Sequence, residues 1–227
     1  MKMKAEAEPV TISVGEGSVS ALLIHPPKAI AIYVLAHGAG AGMIHPFLAQ
    51  MSTLLAERHV ATLRYQFPYM ERGSKRPDSP KVAEATVAAA VAEAAERAPG
   101  LPLFAGGKSF GGRMTSGAVA HGLVPEVRGL IFLGFPLHPP GAPADTRGDH
   151  LAGVGVPMLF LQGTRDEFAD LALLKPLVAR LGRRATLHLV EGGDHSFKVP
   201  ASVGRKPAEV MAELADTASA FIAAKIA

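Results

Sequence analysis

The sequence predicts an α/β protein: a mostly parallel, doubly wound sheet with an antiparallel hairpin at its N-terminal end. Three observations lead there. Apolar runs of strand length alternate with longer helical segments along all 227 residues, the rhythm of a parallel sheet with helical crossovers. Runs such as AIAIYVL at 29–35 and VRGLIFL at 127–133 are apolar almost throughout, as strands covered on both faces are. Hydrophobic residues make up 48% of the chain and charged residues 19%, a balance that buries a sizeable core rather than leaving a disordered chain.

The elements follow in order. Residues 11–14 and 19–24, split by Gly15-Glu16-Gly17, form the hairpin. Residues 29–35 make a central strand, 44–58 a helix and 60–65 the next strand, before a polar, proline-containing loop over 66–80. Ser79 as N-cap and Pro80 at the first helical position open a helix that runs to Ala98. The second half repeats the pattern: strand 101–105, helix 110–121, strand 127–133, strand 156–162, helix 170–181, strand 185–190 and a closing helix over 207–224. Between them, 134–155 is rich in Pro and Gly with no helical period. No repeat or composition break marks a second domain, so one domain over 1–227 is expected.

Composition excludes several classes of function. The 23 basic residues face 20 acidic ones, a scattered excess that does not argue for nucleic acid. The absence of cysteine excludes disulfides, thiolate metal sites and a cysteine nucleophile, and is compatible with the cytosol. Residues 1–14 (MKMKAEAEPVTISV) lack the apolar stretch of an export signal, and no apolar run approaches the ~18 residues of a membrane span. A cytoplasmic protein with no membrane partner is the expectation; oligomeric state is not legible. No H-E-x-x-H or clustered histidine spacing suggests a metal.

Ligands of open α/β sheets bind beyond the carboxyl ends of the strands, so polar residues there are candidates for chemistry. Gly107-Lys108-Ser109-Phe110-Gly111 places G-x-S-x-G between a strand and a helix. Such an elbow holds a nucleophilic serine in a strained turn, with small residues at Gly107 and Gly111 because backbone passes close by. The same stretch imitates a phosphate-binding loop, but that pattern's first glycine falls on Pro102, with no free loop to wrap phosphates. The glycines of 37–42 miss a dinucleotide fingerprint because Met43 holds the last glycine position.

A serine hydroxyl needs a base. Of nine histidines, His195 lies in the loop after the last strand, on the same sheet edge as Ser109. His25, His59, His121 and His188 read as structural or surface residues. His45, His138 and His150 lie in loops that border a pocket at most, and His37 braces its own loop. The orienting carboxylate is Asp166, after the strand 156–162, in the chain order serine, acid, histidine. Glu167 and Asp194 remain rivals, and Asp166 has the alternative of capping the next helix. The oxyanion donors are assigned to the backbone N–H groups of Phe110 and Ala39, with Gly40 as the fallback. Among basic groups, Lys108 and Arg113 flank the nucleophile, and the 66–80 loop brings Arg72, Lys75 and Arg76.

These residues resemble the α/β-hydrolase superfamily over nearly the whole chain. The matching pieces are HGAGAG at 37–42, GKSFGG at 107–112, GTRDEF at 163–168 and GGDHSF at 192–197. Together with RYQFPY at 64–69 they are similar to the small lidless branch of dienelactone-hydrolase-like and testis-expressed-protein-like hydrolases. The resemblance implies a Ser109–Asp166–His195 triad and cofactor-free acyl transfer from a small-molecule substrate. Dienelactone hydrolases typically use cysteine, which this chain lacks, so lactone specificity does not carry over. The expected activity is hydrolysis of a carboxylic ester through an acyl-enzyme on Ser109. A thioesterase, acyltransferase or peptidase would use the same parts, and a non-catalytic binding module would keep only the scaffold. The four prolines between 136 and 143 disfavour a helical lid, so an open, shallow site taking short acyl groups is predicted.

Overall fold

The computed structural model describes residues 6–226; the reading of residues 1–5 as part of a leaderless N-terminus lies outside them. Eight strands form one sheet in the order β1-β2-β4-β3-β5-β6-β7-β8: β1 (Glu8–Val14), β2 (Gly17–Ile24), β3 (Ala31–Ala36), β4 (Val60–Tyr65), β5 (Leu103–Lys108), β6 (Val127–Leu133), β7 (Met158–Gly163) and β8 (Ala185–Val190). The β1–β2 hairpin and the β2–β4 pair are antiparallel and every other pair is parallel. This is the predicted architecture.

Two helical layers cover the sheet. On one face lie α3 (Pro80–Arg97), α4 (Phe110–Ala120) and α5 (Leu171–Leu181); on the other lie α1 (Pro46–Ala56) and α6 (Pro207–Ile226). Strand β3 shows why its sequence is apolar throughout. Ile32, Val34 and Ala36 face the first layer while Ala31, Tyr33 and Leu35 face the second, and all six are buried. The alanine-rich composition is explained by α3, whose Ala83, Val87, Ala90, Val91 and Ala94 pack fully buried against the sheet.

Local differences from the sequence reading have local causes. Helix α1 begins at Pro46 rather than residue 44, because His45 takes the cap position and its Nδ1 accepts the Phe47 N–H at 3.2 Å. Ser79 stands at the cap of α3, but its hydroxyl makes no capping bond. Strand β5 continues through Gly106 and Gly107 because both pair with β3 and β6. Pro102 therefore lies just before this strand rather than inside it, and still no free loop precedes the elbow. The 66–80 loop contains the one-turn helix α2 (Pro68–Glu71), with Phe67 and Tyr69 fully buried. Segment 134–155 holds only 3₁₀ turns at Thr146–Gly153 and no α-helix.

Strand β3 runs through α1 to β4 on one side, and the chain then returns past β3 to β5 on the other. The crevice beyond the ends of β3 and β5 is the switch point where this kind of sheet receives ligands.

Candidate active site

Ser109 occupies that point. It follows β5 directly and opens α4, with φ +49° and ψ −116°, a left-handed conformation rare for a residue with a side chain. The surrounding glycines show what the turn demands. A methyl group on Gly107 would sit 2.2 Å from the Ala36 carbonyl oxygen, and one on Gly111 would sit 2.5 Å from that of His37. Both distances are impossible, so the two strands and the helix meet only because these residues lack a side chain.

The structure brings together the three side chains expected from the sequence. Ser109 Oγ lies 2.8 Å from His195 Nε2, and His195 Nδ1 lies 2.9 and 2.8 Å from the two oxygens of Asp166. The Asp166 carboxylate is shut off from solvent. With Nδ1–H donating to Asp166, Nε2 is free to accept the serine hydroxyl, which is the tautomer that proton abstraction needs. The Phe168 ring lies 4.2 Å from the imidazole, centroid to centroid, and limits its tilt.

The rival acids have other tasks. Asp194 Oδ1 accepts the N–H groups of Ser196 and Lys198 and so folds the loop that carries His195. Glu167 is exposed. The capping alternative for Asp166 falls to Asp170, whose side chain accepts the Ala172 N–H at the start of α5.

The remaining histidines are held elsewhere. His37 is buried, donates Nδ1–H to the Gly38 carbonyl at 2.7 Å and accepts the Phe67 N–H on Nε2 at 3.1 Å. Burial lowers its pKa and keeps it neutral, and it braces the loop as expected. His138 accepts the Asp170 N–H. His150 Nε2 lies 2.7 Å from Ser116 Oγ, a second serine–histidine contact. The Ser116 hydroxyl donates to the Arg113 carbonyl, so it accepts from His150 instead of being activated by it.

Ala39 lines the same pocket as Ser109, and Phe110 follows Ser109 at the first position of α4. Gly40 N–H is taken by the Tyr69 hydroxyl at 2.9 Å. Among the described residues, Ala39 and Phe110 N–H have no protein acceptor. Three supports escaped the sequence reading. Gln162 donates to Asp166 Oδ2 through its amide nitrogen and accepts the Phe135 N–H at 2.9 Å through its oxygen. Its signal was a lone polar residue ending an apolar strand. Tyr69 and Phe67 pin the Gly38–Gly40 turn from above; their signal was two aromatics in a chain with few.

A groove of about 830 Å³ opens beside Ser109, walled by Phe47, Leu48, Phe197, Val199, Pro207 and Met211. It lies between the start of α1 and the segment leading into α6, on the opposite side from residues 134–155. The groove gives the site more apolar wall than the missing lid suggested. Lys108 lines it, whereas Arg113 sits one turn along α4 beside Arg147. Arg72 is paired with Asp78 at 2.8 Å, and Lys75 and Arg76 point to solvent.

Solved structures share this architecture. A dienelactone hydrolase from Anabaena variabilis is 21% identical and superposes with a TM-score of 0.79, covering 98% of this chain and 99% of its own. A lidless α/β serine hydrolase from Xanthomonas campestris is 20% identical, with a TM-score of 0.73 and 95% of each chain covered. Est1E from Butyrivibrio proteoclasticus, with ferulic acid bound, is 16% identical, with a TM-score of 0.73 and coverage of 96% and 99%. Since residues 29–223, most of the chain, match the model for the alpha/beta hydrolase domain, the protein belongs to that family.

Proposed function

We propose that the protein is a serine hydrolase that cleaves a carboxylic ester through an acyl-enzyme on Ser109. The observation that carries this reading is the unbroken chain of contacts from Ser109 Oγ through His195 to Asp166. His195 Nε2 takes the hydroxyl proton as Oγ bonds to the ester carbonyl carbon. The carbonyl oxygen becomes an oxyanion held by the Phe110 and Ala39 N–H groups, Gly40 being engaged by Tyr69. Asp166 stabilises the imidazolium. That imidazolium gives its proton to the departing alcohol as the C–O bond breaks. Water then bonds to the acyl carbon as His195 takes its proton, and the tetrahedral adduct collapses to the carboxylic acid as the C–Oγ bond breaks and His195 returns the proton to Ser109 Oγ.

Labelling with a fluorophosphonate probe tests the reading. Wild-type protein is expected to be modified stoichiometrically at Ser109, and Ser109→Ala is expected to escape labelling and lose about 10³-fold or more in kcat on any ester turned over. An unlabelled wild type, or a Ser109→Ala variant with native turnover, overturns it. The groove of about 830 Å³ falls within the ~300–1,000 Å³ typical of small-molecule sites. It gives one apolar substituent of the ester a place to bury.

A further inference from the structure

Lys108, the residue before the candidate nucleophile, has no part in the steps above, yet its placement is unusual. Its stem lies against Gly38 and lines the groove, while its Nζ is closed off from solvent and has no hydrogen-bond partner among the described residues. An ammonium brings three donors, and a buried one without acceptors is costly. Such a group, retained beside a reactive centre, marks function more often than packing.

Its surroundings say what it acts on. A methyl group placed on Gly134 would meet Lys108 Nζ at 3.0 Å, Asp166 Oδ2 at 3.4 Å and the His195 carbonyl oxygen at 3.4 Å. The amine, the orienting carboxylate and the histidine backbone thus converge on one spot at the end of β6. The charged groups facing Nζ are Asp166 from the loop after β7 and Asp194 from the loop after β8. His195 follows on that second loop, and the Phe197 ring lies 5.7 Å away. The turns after β3 and β6 bring Gly38 and Gly134 against it.

We propose that Lys108 is a positioning residue for the Asp166–His195 pair: as an ammonium it opposes the imidazolium that forms during acyl transfer, and as a neutral amine it removes that opposition. The proposal rests on the hydrolase reading above. The charged form acts twice in the same direction. It repels the positive charge arriving on His195, and it draws the Asp166 carboxylate that would otherwise stabilise that charge fully. Releasing its proton to solvent removes both effects. Burial outweighs the two carboxylates and brings the Lys108 pKa down to about 8, so the change falls just above neutral pH.

The test is kcat/KM against pH on an uncharged p-nitrophenyl ester for wild type, Lys108→Met and Lys108→Arg, with fluorophosphonate labelling of each preparation. Wild type is expected to rise by about 10-fold near pH 8. Lys108→Met should lack that rise and run at the wild type's alkaline level on both sides of pH 8. Lys108→Arg should stay on the lower plateau; if that variant does not fold, the Met curve decides, because an apolar chain suits the buried site. A Lys108→Met profile that superimposes on wild type, or keeps the rise near pH 8, overturns the proposal while labelled Ser109 leaves the hydrolase standing. A wild type that does not label overturns both.

Discussion

Asp166 meets His195 across the fold and Asp194 precedes it in the chain, and the difference between them is what each oxygen touches. Asp166 holds the imidazole Nδ1 and is itself held by Gln162 and the Phe168 N–H. Asp194 Oδ1 accepts backbone N–H groups of its own loop. Asp166→Asn should therefore cost about 10²- to 10⁴-fold in kcat by favouring the wrong tautomer, while Asp194→Asn costs far less, and a reversal of the two would exchange their roles. Lys108 makes a separate prediction about stability. Its folded pKa of about 8 lies below the ordinary 10.5, so the unfolded chain binds more protons between those values. Stability should rise with pH across that window and be lowest, as far as this group is concerned, below about pH 8. Lys108→Met should remove the slope and raise stability at neutral pH relative to alkaline pH, read from urea midpoints at the two pH values.

At the scale of elements, the turn after β3 is held by the strap over residues 66–80. Tyr69 accepts the Gly40 N–H, its own N–H donates to Asp78 at 2.9 Å, and its ring packs edge-on against Phe110 beside the nucleophile. Burial raises the Tyr69 pKa, so its hydroxyl stays protonated. Tyr69→Phe keeps the ring and loses the acceptor, freeing Gly40 to compete with Ala39. A fall in kcat of up to about 10-fold with KM little changed is the expected outcome, and an unchanged kcat would detach the strap from catalysis. The strap also shows what the sequence conceals. Strands such as β3 and the elbow at Ser109 were legible because apolar runs and close backbone approach leave local signatures. Asp166 and His195 were legible because topology brings the ends of β7 and β8 to the edge where Ser109 stands. The burial of Phe67 and Tyr69 and the sequestered Lys108 amine depend on contacts between distant segments, which no local pattern encodes, and the grip of Gln162 on Asp166 four residues on depends on how the loop after β7 turns back. A proline-containing polar stretch looks like a solvated loop until its aromatics have somewhere to go.

At the scale of the whole molecule, the question is what the absence of a lid does to the substrate. Segment 134–155 holds only 3₁₀ turns, and among the described residues no helix is long and apolar enough to cross a membrane. With no cap to open, turnover should follow soluble ester concentration smoothly, without a jump when the substrate aggregates. Absence of a lid by itself predicts a shallow site with rates flat or falling beyond medium chains. The helical layer of α1 and α6 changes that, because the start of α1 and the approach to α6 border a groove of about 830 Å³ next to Ser109. Each CH₂ that enters it gains about 0.8 kcal/mol, so kcat/KM on p-nitrophenyl esters should climb with acyl length until the groove is filled and then level off. Val199→Trp, which narrows the groove without touching Ser109, His195 or Asp166, should leave the acetate rate near wild type and remove the climb. A flat profile from acetate onward in the wild type would mean that the groove does not receive the acyl chain, and a Val199→Trp variant that keeps the climb would place the chain along another path.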